Sequence, residues 1–220
     1  MEGELFGRET TEVAPGAVWV SEWLDEGQQV GLLETCRAWS RPPAGMRTVR
    51  TPGGGIMTAK QVSLGWHWYP YRYSQTAVDG DGAPVKPFPP WLKKLAHQAL
   101  VAAYGDEVMR EDYDIGLINF YDAKARMGMH QDKDEKSLAP VISLSLGDAC
   151  VFRFGNPYTR RRPYTDLTLR SGDLFVFGGP SRMAYHGVTK VYPGSGPAAL
   201  DMQGRVNITL RVSGFSTAEE

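Results

Sequence analysis

Apolar and polar positions alternate most sharply near the C-terminal end, in RVNITLRV (205–212). There Val206, Ile208, Leu210 and Val212 take one face, and Arg205, Asn207, Thr209 and Arg211 the other. A period of two predicts a strand, and its polar face admits two readings. Either it faces water as an outer strand, or it lines the mouth of a barrel, where two arginine forks would clamp a carboxylate or phosphate. IGLINFYD (115–122) poses the same choice, with Leu117, Asn119 and Tyr121 on one face and Gly116, Ile118 and Phe120 on the other.

These two strands belong to a longer texture. From about residue 113, short strand-like runs are punctuated by Gly, Pro, Asn and Asp, from YDIGLINFYD through APVISLSLGD, CVFRFGNP, TDLTLRSGD, LFVFGGP and MAYHGV to RVNITLRVSG. Regular short strands with little helix between them predict a sandwich or barrel rather than a doubly wound sheet. Two helices precede them. SEWLDEGQQVGLLETCRAW (21–39) offers Ser21 as N-cap, and WLKKLAHQALVAAYG after Pro89 and Pro90 carries a stripe of Trp91, Leu95, Ala99 and Ala102 that stops at Gly105. Residues 1–17 show no period, and 79–90 (DGDGAPVKPFPP) read as a surface loop. The pattern predicts a mainly β (α+β) jelly roll with two supporting helices, in one domain spanning 1–220.

Composition narrows the class. With 42% hydrophobic and 22% charged residues the chain is in the range of soluble globular domains, and a formal charge of −1 excludes coating nucleic acid by bulk charge while leaving a local basic groove open. Two cysteines, Cys36 and Cys150, form no Cys-x-x-Cys and suggest neither a disulfide framework nor a thiolate zinc site. MEGELFGRETTEV carries acidic residues and no apolar leader core, and no segment approaches a membrane span, so a cytoplasmic protein is expected.

Within that frame, GMHQDKDE (128–135) stands out. A polar run of this kind is commonly a solvated turn. Yet the i, i+2 spacing of His130 and Asp132 puts both side chains on one side of an extended segment, and His186 lies near the end of another predicted strand. Two histidines and a carboxylate on one face of an octahedron leave positions open, as in non-haem Fe(II) oxygenases; zinc is the competing metal, without a His-Glu-x-x-His helix to support it. His67 and His97 are the other histidines, and His97 reads as a surface or satisfied one.

Taken together, HQDKDE (130–135), YHGV (185–188) and RVNITLR (205–211), extended by INFYD, ISLSLGD and RSGDLFVFGGPSRMAYHG, resemble the signature of the AlkB family of DNA-repair dioxygenases over roughly residues 60–214. The resemblance implies a double-stranded β-helix core at about 113–214 under a nucleotide-recognition lid at about 60–85. It implies that His130, Asp132 and His186 are the catalytic ligands of Fe(II), and that Arg205, Arg211, Asn119, Tyr121 and Asn207 bind or fix 2-oxoglutarate. The implied reaction consumes O2 and 2-oxoglutarate and demethylates alkylated bases such as N1-methyladenine and N3-methylcytosine, releasing formaldehyde, succinate and CO2. Alkylated DNA, chiefly single-stranded, is the implied partner, with RNA a second candidate and a monomer the expected state.

On the substrate side the resemblance points to Trp66 in LGW and to Tyr71 and Tyr73 in YRYS as lid aromatics. Asp134 and Glu135 near the metal would attract the positive charge of the two methylated bases, Asp134 more directly. Arg160 or Arg161, in YTRRRPY, is implied near the substrate, although such a run is also an ordinary basic turn. Phe177 stands where the bacterial prototype has tryptophan. Two other functions remain in competition at this level: the same oxygenase core acting on RNA, protein or a small molecule, and a non-catalytic module that recognises modified bases.

Overall fold

The structure, a computed structural model, describes residues 9–215; the acidic start of the chain at residues 1–8 lies outside them. In chain order the strands are β1 (Thr10–Ala14), β2 (Ala17–Val20), β3 (Arg47–Arg50), β4 (Ile56–Leu64), β5 (His67–Tyr69) and β6 (Arg72–Ser74), followed by β7 (Ile115–Tyr121) and β8 (Met127–His130). The remainder are β9 (Val141–Gly147), β10 (Cys150–Phe154), β11 (Thr165–Leu169), β12 (Leu174–Phe177), β13 (His186–Val191) and β14 (Arg205–Arg211). Helix α1 (Glu26–Trp39) lies between β2 and β3, and α2 (Pro90–Tyr104) between β6 and β7.

Eight strands form one sheet in the order β1-β2-β12-β9-β14-β7-β4-β3, four form a second in the order β11-β10-β13-β8, and β5-β6 is a separate hairpin. Alternation sorts the residues between layers. Val206, Ile208 and Leu210 of β14, Ile142, Leu144 and Leu146 of β9, and Leu174 and Val176 of β12 pack with α1 and α2 in one apolar core. Their neighbours face the four-stranded sheet, where Phe152, Phe154, Phe175 and Phe177 form a second core of packed rings with centroids 5.1–6.1 Å apart. Burying each such side chain stabilises the sandwich by about 1.5–3 kcal/mol. Arg205, Asn207, Thr209 and Arg211 are all buried between the sheets, which decides for the inward reading of both strands.

Several elements depart from the sequence expectation. Helix α1 begins at Glu26 rather than after Ser21, because Asp25 and Gln28 close a reciprocal capping box there (Gln28 N–H to Asp25 Oδ1, 2.8 Å). The buried stripe of α2 is Leu92, Ala96, Ala99 and Leu100; Trp91 is 45% exposed and stacks on Trp39 (centroids 5.9 Å), since the sheet and α1 set the helix phase. Of residues 1–17, where no period is visible, those from Thr10 onward belong to the hairpin β1-β2 that extends the large sheet. Lys60–Leu64, expected in the lid, are the end of β4 and pair with β7 inside that sheet. What stands apart is the hairpin His67–Ser74. Both cysteines are free and buried, and no helix among the described residues is long and apolar enough to cross a membrane.

Candidate active site

His130 ends β8 and His186 begins β13, and the two are direct partners in the antiparallel register. Opposed residues share a face, so their rings meet, with centroids 4.4 Å apart. Gly187 permits the approach: a Cβ there would lie 2.5 Å from the Met127 carbonyl oxygen. Asp132, two residues beyond His130, completes the group, with Oδ1 3.5 Å from His130 Nε2 and Oδ2 3.7 Å from His186 Nε2.

The electronic state of these groups suits a metal. His130 Nδ1 sits 3.0 Å from the Gly128 carbonyl and His186 Nδ1 3.0 Å from the Ala184 carbonyl. Each contact favours the Nδ1–H tautomer and leaves the Nε2 lone pair turned toward Asp132. Burial, helped by the neighbouring His130, pushes His186 down to about 4, so its imidazole is neutral at ordinary pH. Burial alone would raise Asp132, but Arg211, His186 and His130 outweigh it and hold the carboxyl well below the usual range. Asp132 Oδ2 is buried and accepts no hydrogen bond, an arrangement that costs free energy unless a cation occupies the site. Donor atoms of the three residues lie within 4.8 Å of one another, and this is the one such group among the described residues. A divalent first-row cation fits them.

Beside the triad the polar face of β14 forms an anion site. Arg205 is 1% exposed, sits over the Tyr121 ring (5.4 Å) and donates from Nη2 to Ser145 Oγ (3.0 Å), while its Nε and Nη1 have no partner. Asn207 is fixed by Ser143 Oγ (2.7 Å), the Leu144 carbonyl (3.1 Å) and the Thr209 hydroxyl (3.0 Å). Asn119 Oδ1 accepts from Gln61 Nε2 (3.0 Å), and burial keeps the Tyr121 hydroxyl protonated. Arg211 is already engaged, through Nη2 with Asp132 Oδ1 (2.8 Å) and Nη1 with Glu135 Oε1 (2.8 Å).

These groups line a cavity of about 300 Å³ whose outer wall comes from the β5-β6 hairpin. The hairpin is anchored at its base, where His67 (Nε2 to Asp79 Oδ1, 2.6 Å) and Arg47 share Asp79, and Arg47 also donates to the Trp68 carbonyl. His67 is therefore a buried structural histidine, held below its ordinary pKa by burial and by Arg47; His97 lies on α2.

The lid tryptophan differs from the expectation. Gly65, at φ +73°, turns the chain so that Trp66 points away from the cavity, with Nε1 donating to Asp114 Oδ2 (3.2 Å) and its ring edge against Phe215 (5.0 Å). Trp68 lines the cavity instead and donates from Nε1 to Asp134 Oδ2 (2.8 Å). Tyr73, its cross-strand partner, sits outside the cavity, its hydroxyl on Glu135. Tyr71, at the hairpin tip with φ +69°, is at the cavity mouth and 65% exposed. Asp134 also lines the cavity, whereas the Glu135 side chain has no exposure at all. On the opposite rim Arg160 reaches the cavity over Tyr185 (5.6 Å), while Arg161 is an exposed turn residue that does not.

Sequence reasoning missed Trp68, Gln131 and Arg182. Gln131 Nε2 ties the segment between His130 and Asp132 to the carbonyls of Met183 (2.7 Å) and Pro157 (3.1 Å). Arg182, 3% exposed, donates to the carbonyls of Ala139 (2.8 Å) and Asp132 (2.5 Å) and pairs with Glu135 (3.1 Å). For Arg182 the available signal was a lone arginine in the run before His186.

Comparison with known proteins matches this geometry. A sequence model of the 2OG-Fe(II) oxygenase superfamily covers residues 16–211. The chain is 37% identical to an alpha-ketoglutarate-dependent dioxygenase AlkB homolog of Caulobacter vibrioides, over 94% of this chain and 92% of that protein. It is 33% identical to the DNA N(6)-methyladenine demethylase ALKBH1C of Arabidopsis thaliana, over 93% of this chain but only about half (50%) of that longer protein. Among solved structures, that of OsALKBH1 superimposes with a TM-score of 0.83 at 30% identity, covering 92% of this chain and 99% of the other.

Proposed function

Because the chain belongs to the AlkB family of the 2OG-Fe(II) oxygenase superfamily, we propose that it oxidatively demethylates alkylated bases in nucleic acid, with single-stranded DNA its preferred form. One observation carries the reading. A single cavity holds the His130–Asp132–His186 group, the unpaired donors of Arg205 beside it, and an aromatic and acidic mouth made by Trp68, Tyr71 and Asp134. Bound there, Fe(II) with O2 and 2-oxoglutarate supplies the oxidising chemistry, which ends in succinate, CO2 and a methyl group lost as formaldehyde.

The chain's own residues bind and orient. His130, Asp132 and His186 hold the metal; Arg205 pairs with a carboxylate of 2-oxoglutarate, with Asn119, Tyr121 and Asn207 supplying neutral hydrogen bonds around it. Phe152 and Phe177, packed on the His186 ring at 5.9 and 4.9 Å, keep one side of the metal site apolar and dry. A base reaches such a cavity only after leaving its stack, which costs least in a single strand. Trp68 offers it an indole face, Asp134 favours a cationic methylated ring over a neutral one, and Arg160 on the far rim suits a phosphate.

The test offers methylated DNA and RNA oligonucleotides to protein loaded with Fe(II), 2-oxoglutarate and ascorbate, and follows loss of the methyl group by mass spectrometry. Demethylation of N1-methyladenine or N3-methylcytosine is expected. Brisk 2-oxoglutarate turnover with every oligonucleotide untouched would direct the search to another substrate class. The same assay separates the two tryptophans. Trp68→Ala should raise the oligonucleotide KM by roughly 10-fold, the loss of one base–aromatic stack, while Trp66→Ala should change KM less. The reverse order would return the lid role to Trp66.

A further inference from the structure

Glu135 adjoins the metal-binding segment, yet its side chain has no exposure and no route to a substrate. Its surroundings instead tie it to the metal carboxylate. Arg211 splits its fork between two acids, Nη2 on Asp132 Oδ1 and Nη1 on Glu135 Oε1, both at 2.8 Å. An arginine fork left alone with one carboxylate tends to take both of its oxygens. Here the second arm is claimed by Glu135, and the second oxygen of Asp132, Oδ2, stays without a partner. Arg182 closes the arrangement: Nη2 holds Glu135 Oε2 (3.1 Å), and Nη1 holds the Asp132 main-chain carbonyl (2.5 Å), so both ends of the Asp132–Glu135 turn hang on one buried guanidinium. The Tyr73 hydroxyl adds a further hydrogen bond to Glu135.

We propose that Glu135 and Arg182 are positioning residues for the metal: Glu135 holds one arm of Arg211 away from Asp132, Arg182 fixes the turn that carries both acids, and Glu135 makes no contact with substrate. This rests on the reading of His130, Asp132 and His186 as metal ligands, not on the identity of the substrate.

Mn(II) titration of the metal-free protein, by calorimetry or electron paramagnetic resonance and without any oligonucleotide, tests it. Glu135→Gln should weaken Mn(II) binding at least about 10-fold, within the 10- to 100-fold typical of groups that orient metal ligands. At saturating metal its oligonucleotide KM should equal that of the wild type. The double variant Glu135→Gln, Arg182→Gln removes both supports of the turn and should bind Mn(II) no more tightly than Glu135→Gln alone. A smaller loss in the single variant, a double variant tighter than the single, or a raised oligonucleotide KM with normal Mn(II) affinity would overturn the proposal. If the single variant does not fold, the double variant, in which Arg211 keeps its pair with Asp132, decides: a loss smaller than about 10-fold overturns the proposal. Wild-type protein that binds Mn(II) but demethylates nothing would instead remove the nucleic-acid reading and leave this one standing.

Discussion

His186→Ala is expected to abolish both demethylation and 2-oxoglutarate turnover, with Mn(II) affinity falling by more than ~100-fold, beyond what loss of a supporting group costs. Three donor groups are placed to hold a cation, and His186 is the more deeply buried of the two imidazoles. It is 7% exposed, fixed through Nδ1 to Ala184, and neutral down to a pH of about 4. Removing the ring also opens a space against Phe177 and Phe152, which costs the fold about 2–4 kcal/mol. Circular dichroism and a melting curve therefore accompany the metal titration, so that lost binding is distinguished from lost structure. A folded His186→Ala protein that still turns over 2-oxoglutarate at the wild-type rate would sink the assignment of the ligands.

Arg205→Met should act in two opposite directions, which makes it diagnostic. In the metal- and cofactor-free protein Arg205 is a buried guanidinium with Nε and Nη1 unpaired, a state that costs free energy. Replacing it by an apolar chain of similar length should stabilise that form by about 1–2 kcal/mol and raise Tm by a few degrees. With 2-oxoglutarate present the sign reverses: the carboxylate loses its buried partner, which is worth about 3–5 kcal/mol, and the KM for 2-oxoglutarate should rise roughly 100-fold or more. 2-Oxoglutarate should raise the Tm of the wild-type protein and leave that of the variant unchanged. Unchanged 2-oxoglutarate affinity in Arg205→Met would show that the co-substrate carboxylate sits elsewhere. Arg205→Lys is not expected to rescue it, because an ammonium cannot reproduce the planar fork.

The core strands were legible because short apolar runs are punctuated by Gly, Pro, Asn and Asp, and all seven runs read from residue 113 onward overlap a strand of the sandwich. The first four strands were not. Residues 10–20 join the large sheet at its edge, where exposure blurs the alternation, and β4 mixes exposed and buried positions over nine residues. For the site, His130, Asp132 and His186 came from spacing and residue type, and the structure brings them together; Asn119, Tyr121, Arg205, Asn207 and Arg211 all lie on the inward faces of β7 and β14. The lid failed differently. LGWHWYPYRYS holds two tryptophans and three tyrosines within a few positions, and a turn at Gly65 decides which of them meets the cavity.

Sequence alone thus determined the runs that become the core strands, the candidate ligand group and the arginine strand, since each is a local pattern of residue types whose chemistry has few uses. Tertiary structure decided which face of each strand is inside, that Trp68 rather than Trp66 meets the cavity, and that Glu135 is locked between Arg182 and Arg211. Those outcomes depend on partners from distant segments, and burial, ion pairing and ring orientation are properties of the partners as much as of the residue itself.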